Sequence, residues 1–128
     1  MFSPKNMTGV LIPWEYYPAA AGTYKCGQLL NATGGKLVPV SAASKTTPGY
    51  LCVADVTVGD GETIPVQPIR KETIYITELS AETESAAVGA KLQVSAGGLQ
   101  VDGVAAGTFE LVDVADTAAG AEVCGRFV

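Results

Sequence analysis

The sequence predicts an all-β protein, a small barrel or sandwich built from two pseudo-repeated hairpin-plus-strand units. Three observations carry that prediction. Apolar residues nowhere keep the i, i+3, i+4, i+7 spacing for the roughly 10–12 residues that a helix needs. Short runs of alternating apolar and polar residues recur along the chain, separated by glycine-rich turn groups. The third is a repetition: two stretches follow one another in the same order, offset by 58 to 62 residues.

The elements follow in chain order. Residues 1–22, "MFSPKNMTGVLIPWEYYPAAAG", hold Pro4, Pro13 and Pro18, the only tryptophan and two adjacent tyrosines. Nothing there is periodic, and proline favours extended backbone, so an extended N-terminal arm is expected. Two roles are open to it: packing on its own domain with Trp14 as a lid, or reaching a partner through aromatic anchors. Residues 23–128 read as a single β domain. The expected strands are "TYKCGQLL", "KLVPV", "YLCVADVTV", "TIPVQPI", "ETIYITEL", "KLQVS", "LQV", "TFELVDV" and "EVCGRFV". Between them stand turn groups such as Asn31–Gly35, Gly59-Asp60-Gly61, Gly97-Gly98 and Ala119-Gly120. "SAETESAAVG", Ser80 to Gly89, has the composition for at most one short turn of helix.

The repetition spans about residues 25–66 and 88–126. "GYLCVADV" lies over "GTFELVDV", matching Gly49 with Gly107, Leu51 with Phe109 and Asp55 with Asp113. Upstream, Gly27, Leu30, Gly35 and Leu37 lie over Gly89, Leu92, Gly97 and Leu99; downstream, Gly61 and Ile64 lie over Gly120 and Val123. One hairpin plus a longer strand has exposed edges and too little core to stand alone, so two such units are expected to cover each other.

Composition narrows the function. At 128 residues the chain suits one domain, and 48% hydrophobic against 16% charged residues argues against disorder. The formal net charge is −5 and no Lys/Arg cluster occurs, which disfavours nucleic-acid binding. No apolar run approaches the roughly 20 residues of a membrane span, and no signal-peptide centre is present, so a non-secreted protein is expected. Cys26, Cys52 and Cys124 form no C-x-x-C pair; they read as small buried hydrophobes in a reducing compartment, or as a reactive thiol.

Chemistry is sparse. With no histidine there is no Ser-His or Cys-His pair and little to hold zinc. "GDGET" and "ATGGK" lack the spacing of a phosphate loop. Asp55, Asp60 and Glu62 lack the calcium-loop pattern, and Asp60 between two glycines reads as a turn residue. Asp55 and Asp113 recur in register, either bonding backbone N–H groups at a bulge or forming a symmetric interface pair. No catalytic residue, cofactor or metal is therefore expected, and the chain reads as a binding surface rather than an enzyme.

The segments "GQLLNATGGKLVPVSA", "PGYLCVADVTVGDGETIPVQPI", "VGAKLQVSAGGLQVDG" and "GTFELVDVADTAAGAEVCGRFV", behind a proline-rich N-terminus, are similar to the head decoration (capsid cement) proteins of tailed bacteriophages. The resemblance covers most of Gly22 to Val128. It implies a structural virion protein on the capsid exterior, made in the host bacterial cytoplasm. Its partner would be the major capsid protein, whose neighbouring subunits it ties together as a homo-oligomer, with a trimer favoured. The candidate contact arm comprises Val10, Leu11, Ile12, Trp14, Tyr16 and Tyr17, with Pro13 limiting any strand pairing to Thr8–Ile12. A small β module that binds carbohydrate through "PWEYYP" is the alternative.

Overall fold

The computed structural model describes residues 1–6, 14–41, 46–105 and 107–128, the side chains of Asn6, Val104 and Ala105 excepted. Among these residues are thirteen strands and no helix: β1 Ser3–Asn6, β2 Glu15–Pro18, β3 Gly22–Tyr24, β4 Leu29–Thr33, β5 Lys36–Pro39, β6 Tyr50–Cys52, β7 Val56–Val58, β8 Thr63–Pro68, β9 Ile74–Glu78, β10 Lys91–Val94, β11 Val101–Ala105, β12 Phe109–Val114 and β13 Glu122–Phe127. They form an all-β sandwich of antiparallel sheets. A five-stranded sheet has the order β2-β8-β6-β4-β5 and a six-stranded sheet the order β1-β9-β13-β12-β10-β11, with β3 and β7 as a separate ribbon.

With β1 set aside, the two sheets have one topology. A hairpin (β4-β5, β10-β11) is followed by a strand beside its first arm (β6, β12), then by another strand outside that (β8, β13), and the strand preceding the hairpin (β2, β9) completes the edge. The registers agree residue by residue. Tyr50↔Pro68, Leu51↔Gln67 and Cys52↔Val66 match Phe109↔Phe127, Glu110↔Arg126 and Leu111↔Gly125. Backbone bonds beyond the ladders repeat as well: Ala19 N–H donates to Glu62 O and Leu79 N–H to Ala121 O, while Ile69 N–H donates to Gly49 O and Val128 N–H to Thr108 O. Neither sheet closes into a barrel. In each, a lone parallel bridge, Ala19↔Leu37 or Leu79↔Val101, draws the two edges together.

Packing sets the halves in series. The first half's inner face buries Leu30, Leu37, Cys52, Ile64 and Val66 beneath the β3-β7 ribbon, whose Tyr24 hydroxyl donates to Ala20 O at 2.7 Å and Leu37 O at 3.1 Å. The second half's inner face buries Tyr75, Leu92, Phe109, Leu111, Val123 and Phe127, and it packs on Leu29, Val40 and Leu51 from the outer side of the first half. Phe2 enters the same core, with its ring centroid 5.6 Å from that of Phe109. Two-sided burial explains why "QLL" and "YLC" carry consecutive apolar residues instead of alternation. Gly125 shows how closely the second core is filled: a Cβ there would lie 2.6 Å from both the Glu110 carbonyl oxygen and the Phe109 ring. The equivalent Val66 sits behind the half-buried Tyr50.

Several expectations need correction. The described parts of the 1–22 arm are sheet, because β1 pairs with β9 and β2 with β8, and Phe2 is core. Prolines did not prevent this; both strands lie at edges, where a missing N–H can be tolerated. Trp14 is exposed and forms no lid. Residues Thr8 to Ile12, including the expected pairing segment, lie outside the described residues. Ser80 to Gly89 contains turns and no helix. "TYKCGQLL" is divided at Cys26-Gly27, where Gly27 has φ +88°, and "YLCVADVTV" at Val53–Asp55. In the second hairpin the returning strand starts at Val101, so Leu37 corresponds to Val101 rather than Leu99. Register also places Tyr50, not Leu51, over Phe109, a slip of one residue that reverses which face each side chain takes.

Candidate interaction surface

Of the six residues expected to make contact, Val10, Leu11 and Ile12 lie outside the described residues. The other three stand together on or beside β2. Trp14 is 60% exposed, Tyr16 66% and Tyr17 36%, three of the six largest exposed hydrophobic side chains among the described residues.

Strand alternation separates these rings. Tyr17 pairs with Ile64 and lies on the inner-face side, its ring centroid 4.9 Å from that of Tyr50. Hydrogen bonding with Tyr50 and then Glu15, with the Glu15 charge adding to it, pushes the Tyr17 hydroxyl up to about 12. Tyr17 thereby supplies the first half with what Phe2 supplies to the second. Its equivalent, Thr77, is small, and Phe2 packs against Phe109 from outside the strand.

Tyr16 faces the other way. It pairs with Pro65, whose carbonyl accepts the Val53 N–H at 3.2 Å, so Tyr16 on β2, Pro65 on β8 and Val53, just past β6, form a row on the outer face. Val53 in turn lines a depression of about 300 Å³ with Met1, Phe2, Pro4, Cys26, Leu51 and Gln67. The strip runs from Tyr16 to Met1, whose N-terminal ammonium pairs with Glu78. Pro65 and Gln67 alternate with Ile64 and Val66 in "TIPVQP", the one sequence signal that could have revealed this face.

The second half has a depression on the corresponding outer face, about 520 Å³, lined by Lys71, Glu72, Glu110, Arg126, Phe127 and Val128. There Glu110 and Arg126 occupy the positions of Leu51 and Gln67, and they are ion-paired at 3.0 Å.

The remaining candidates are structural. The Asp55 carboxylate accepts the Cys26 N–H at 2.8 Å, and Asp113 stands exposed beside a register shift in β12. Asp55 thus makes the backbone bond expected of the pair, whereas Asp113 shares only the position at an irregularity, and the two stand in different sheets. Asp60 sits in the turn and pairs with Lys36 at 2.6 Å. All three cysteines are free; Cys52 and Cys124 are buried, with burial pushing the Cys52 thiol up, whereas Cys26 is exposed ahead of the Gly27 turn. Among the described residues, no group of three or more His, Cys, Asp or Glu side chains converges as a metal site, and no helix is long and apolar enough to cross a membrane. No protein-family model matches the chain, and no curated protein matches it either.

Proposed function

We propose that this chain is a structural protein of a tailed-phage or prophage head, seated on the outside of the shell and holding neighbouring major capsid subunits together. The observation that carries this reading is the outer-face strip: exposed Trp14 and Tyr16 continuous with Pro65, Val53 and the apolar depression, a surface made for contact area. The resemblance noted above supplies the partner, and with it assembly on the shell as a homo-oligomer, a trimer being favoured. The experiment mixes the purified protein with expanded, undecorated capsids and counts copies per shell by cryo-electron microscopy. Trp14→Ala and Tyr16→Ala should each reduce occupancy at least tenfold at limiting protein. Full occupancy by the double variant, or no binding by the wild type, overturns the reading.

One observation favours a second reading. Trp14 and Tyr16 share a face two residues apart, a platform on which sugar rings could stack. Binding on a glycan array that Trp14→Ala abolishes would establish a carbohydrate module instead.

A further inference from the structure

The second sheet carries a strand that has no counterpart in the first, and that strand brings an amine to a thiol. β1 pairs antiparallel with β9 through Ser3↔Ile76 and Pro4↔Tyr75, then slips before Asn6↔Ile74, which leaves Lys5 as the extra residue of a bulge. A bulge re-aims a side chain. Here the Lys5 ammonium reaches across β9 and donates to Cys124 Sγ on β13 at 3.7 Å. Among the described residues it pairs with no carboxylate.

Cys124 is placed for this contact. Val123 and Phe127 of β13 point into the core, so alternation turns Cys124 to the outer face with Arg126. Cys124 is only 4% exposed there, with the exposed Lys5 against its sulfur. Its equivalent in the first half is Pro65, which offers no reactive atom, since Ile76↔Cys124 matches Tyr16↔Pro65. Thiol and amine therefore meet only where the additional strand lies. That strand is also held in place. Phe2 N–H donates to Gly27 O at 2.9 Å, the Phe2 ring packs on Phe109, and the Met1 ammonium pairs with Glu78.

We infer that Lys5 and Cys124 form an oxidative cross-link site, closing under hydrogen peroxide to a sulfenamide that fastens β1 to the sheet. In the first step the thiol sulfur attacks the peroxide, whose O–O bond breaks. The sulfur gives up two electrons and becomes a sulfenic acid, and one water leaves. Lys5, having released a proton to solvent, then attacks that sulfur through its amine. The S–N bond forms as the S–O bond breaks, and the departing hydroxide takes a second amine proton and leaves as water. An amine held this close traps the sulfenic acid before a second peroxide can carry it to the sulfinic acid. The edge strand is then tied covalently across β9, and a thiol reductant releases it.

The test uses the full chain carrying Cys26→Ser, which takes out the exposed thiol. After peroxide, the intact mass should fall by two hydrogens, trypsin should no longer cut after Lys5, and tandem mass spectrometry should find the Lys5 and Cys124 peptides joined. Dithiothreitol should restore all three. In the linked protein the β1 amides should slow in hydrogen exchange by about tenfold or more. Lys5→Arg keeps the charge at an exposed position and removes the nucleophilic amine, so it should give oxygen added at Cys124 and no link. Oxygen added at Cys124 of the Cys26→Ser protein with Lys5 still cut by trypsin overturns the inference. So does a two-hydrogen loss that persists in Lys5→Arg, or a linked protein whose β1 amides exchange as fast as before. None of these outcomes depends on shell binding, so this inference and the proposed function can fail separately.

Discussion

The two outer faces of this doubled fold occupy equivalent positions and have opposite chemistry. Leu29, Leu51 and Gln67 on the first half stand where Lys91, Glu110 and Arg126 stand on the second. The first face is covered by the second half's core and the second by no other described part of the chain, so one is apolar and the other ends the series with an ion pair. Topology was kept while side chains followed their surroundings. A repeat needs a polar outer face only where stacking stops.

That comparison is most sharply broken by exchanging the face residues. Leu51→Glu places a carboxylate in the apolar seam between the halves, where Leu51 is buried. It should cost about 3–5 kcal/mol, read as a lowered midpoint in urea denaturation. Glu110→Leu should change stability by no more than about 1 kcal/mol, since it removes one partly exposed ion pair. Equal effects from the two would mean that the halves do not pack in series.

The inner faces should differ less. Phe109→Ala, at the centre of the Phe2, Phe109 and Phe127 ring cluster, should cost about 3–5 kcal/mol by the same measurement. Its equivalent, Tyr50→Ala, should cost roughly half as much, because Tyr50 is only half-buried and less area is returned to water. Glycines sharpen the point. A Cβ on Gly107 would lie 1.9 Å from the Leu92 carbonyl oxygen, whereas one on Gly49 meets nothing within 4 Å. Gly107→Ala should therefore destabilise by about 1–3 kcal/mol. Gly49→Ala should fall within about 0.5 kcal/mol of the wild type.

The smallest effect concerns Tyr17. Hydrogen bonding with Tyr50 and Glu15 favours the neutral phenol in the folded state, so the folded value of about 12 lies above the ordinary tyrosine value of 10.0. Stability from this contact is complete below that ordinary value and is lost as pH rises through the folded value. Phenolate absorbance of the wild type against Tyr17→Phe should assign the step near pH 12, and Tyr50→Phe should move it down. A Tyr17 step unmoved by Tyr50→Phe would remove the ring pair as its cause.

Much of this fold was legible. Alternation and turn glycines marked the hairpins, and the recurrence of Gly27/Gly89, Leu30/Leu92 and Ile64/Val123 gave the doubling with the offsets that the sheets show. Where two-sided burial erased the alternation, in "YLC", the match slipped by one residue. The surface was half legible: Trp14 and Tyr16 stood out as aromatics among prolines, while Val53, Pro65 and Met1 became a surface only when β8 lay beside β2 and β6.

The sequence by itself determined a β protein in two like halves, because periodicity and turn chemistry act over a few residues and need no distant partner. Only the tertiary structure decided that the N-terminal segment closes one sheet edge and forms another, and which outer face would be buried. Strand neighbours far apart in sequence are chosen by the register and core volume available when the halves meet, quantities that no local run of residues contains.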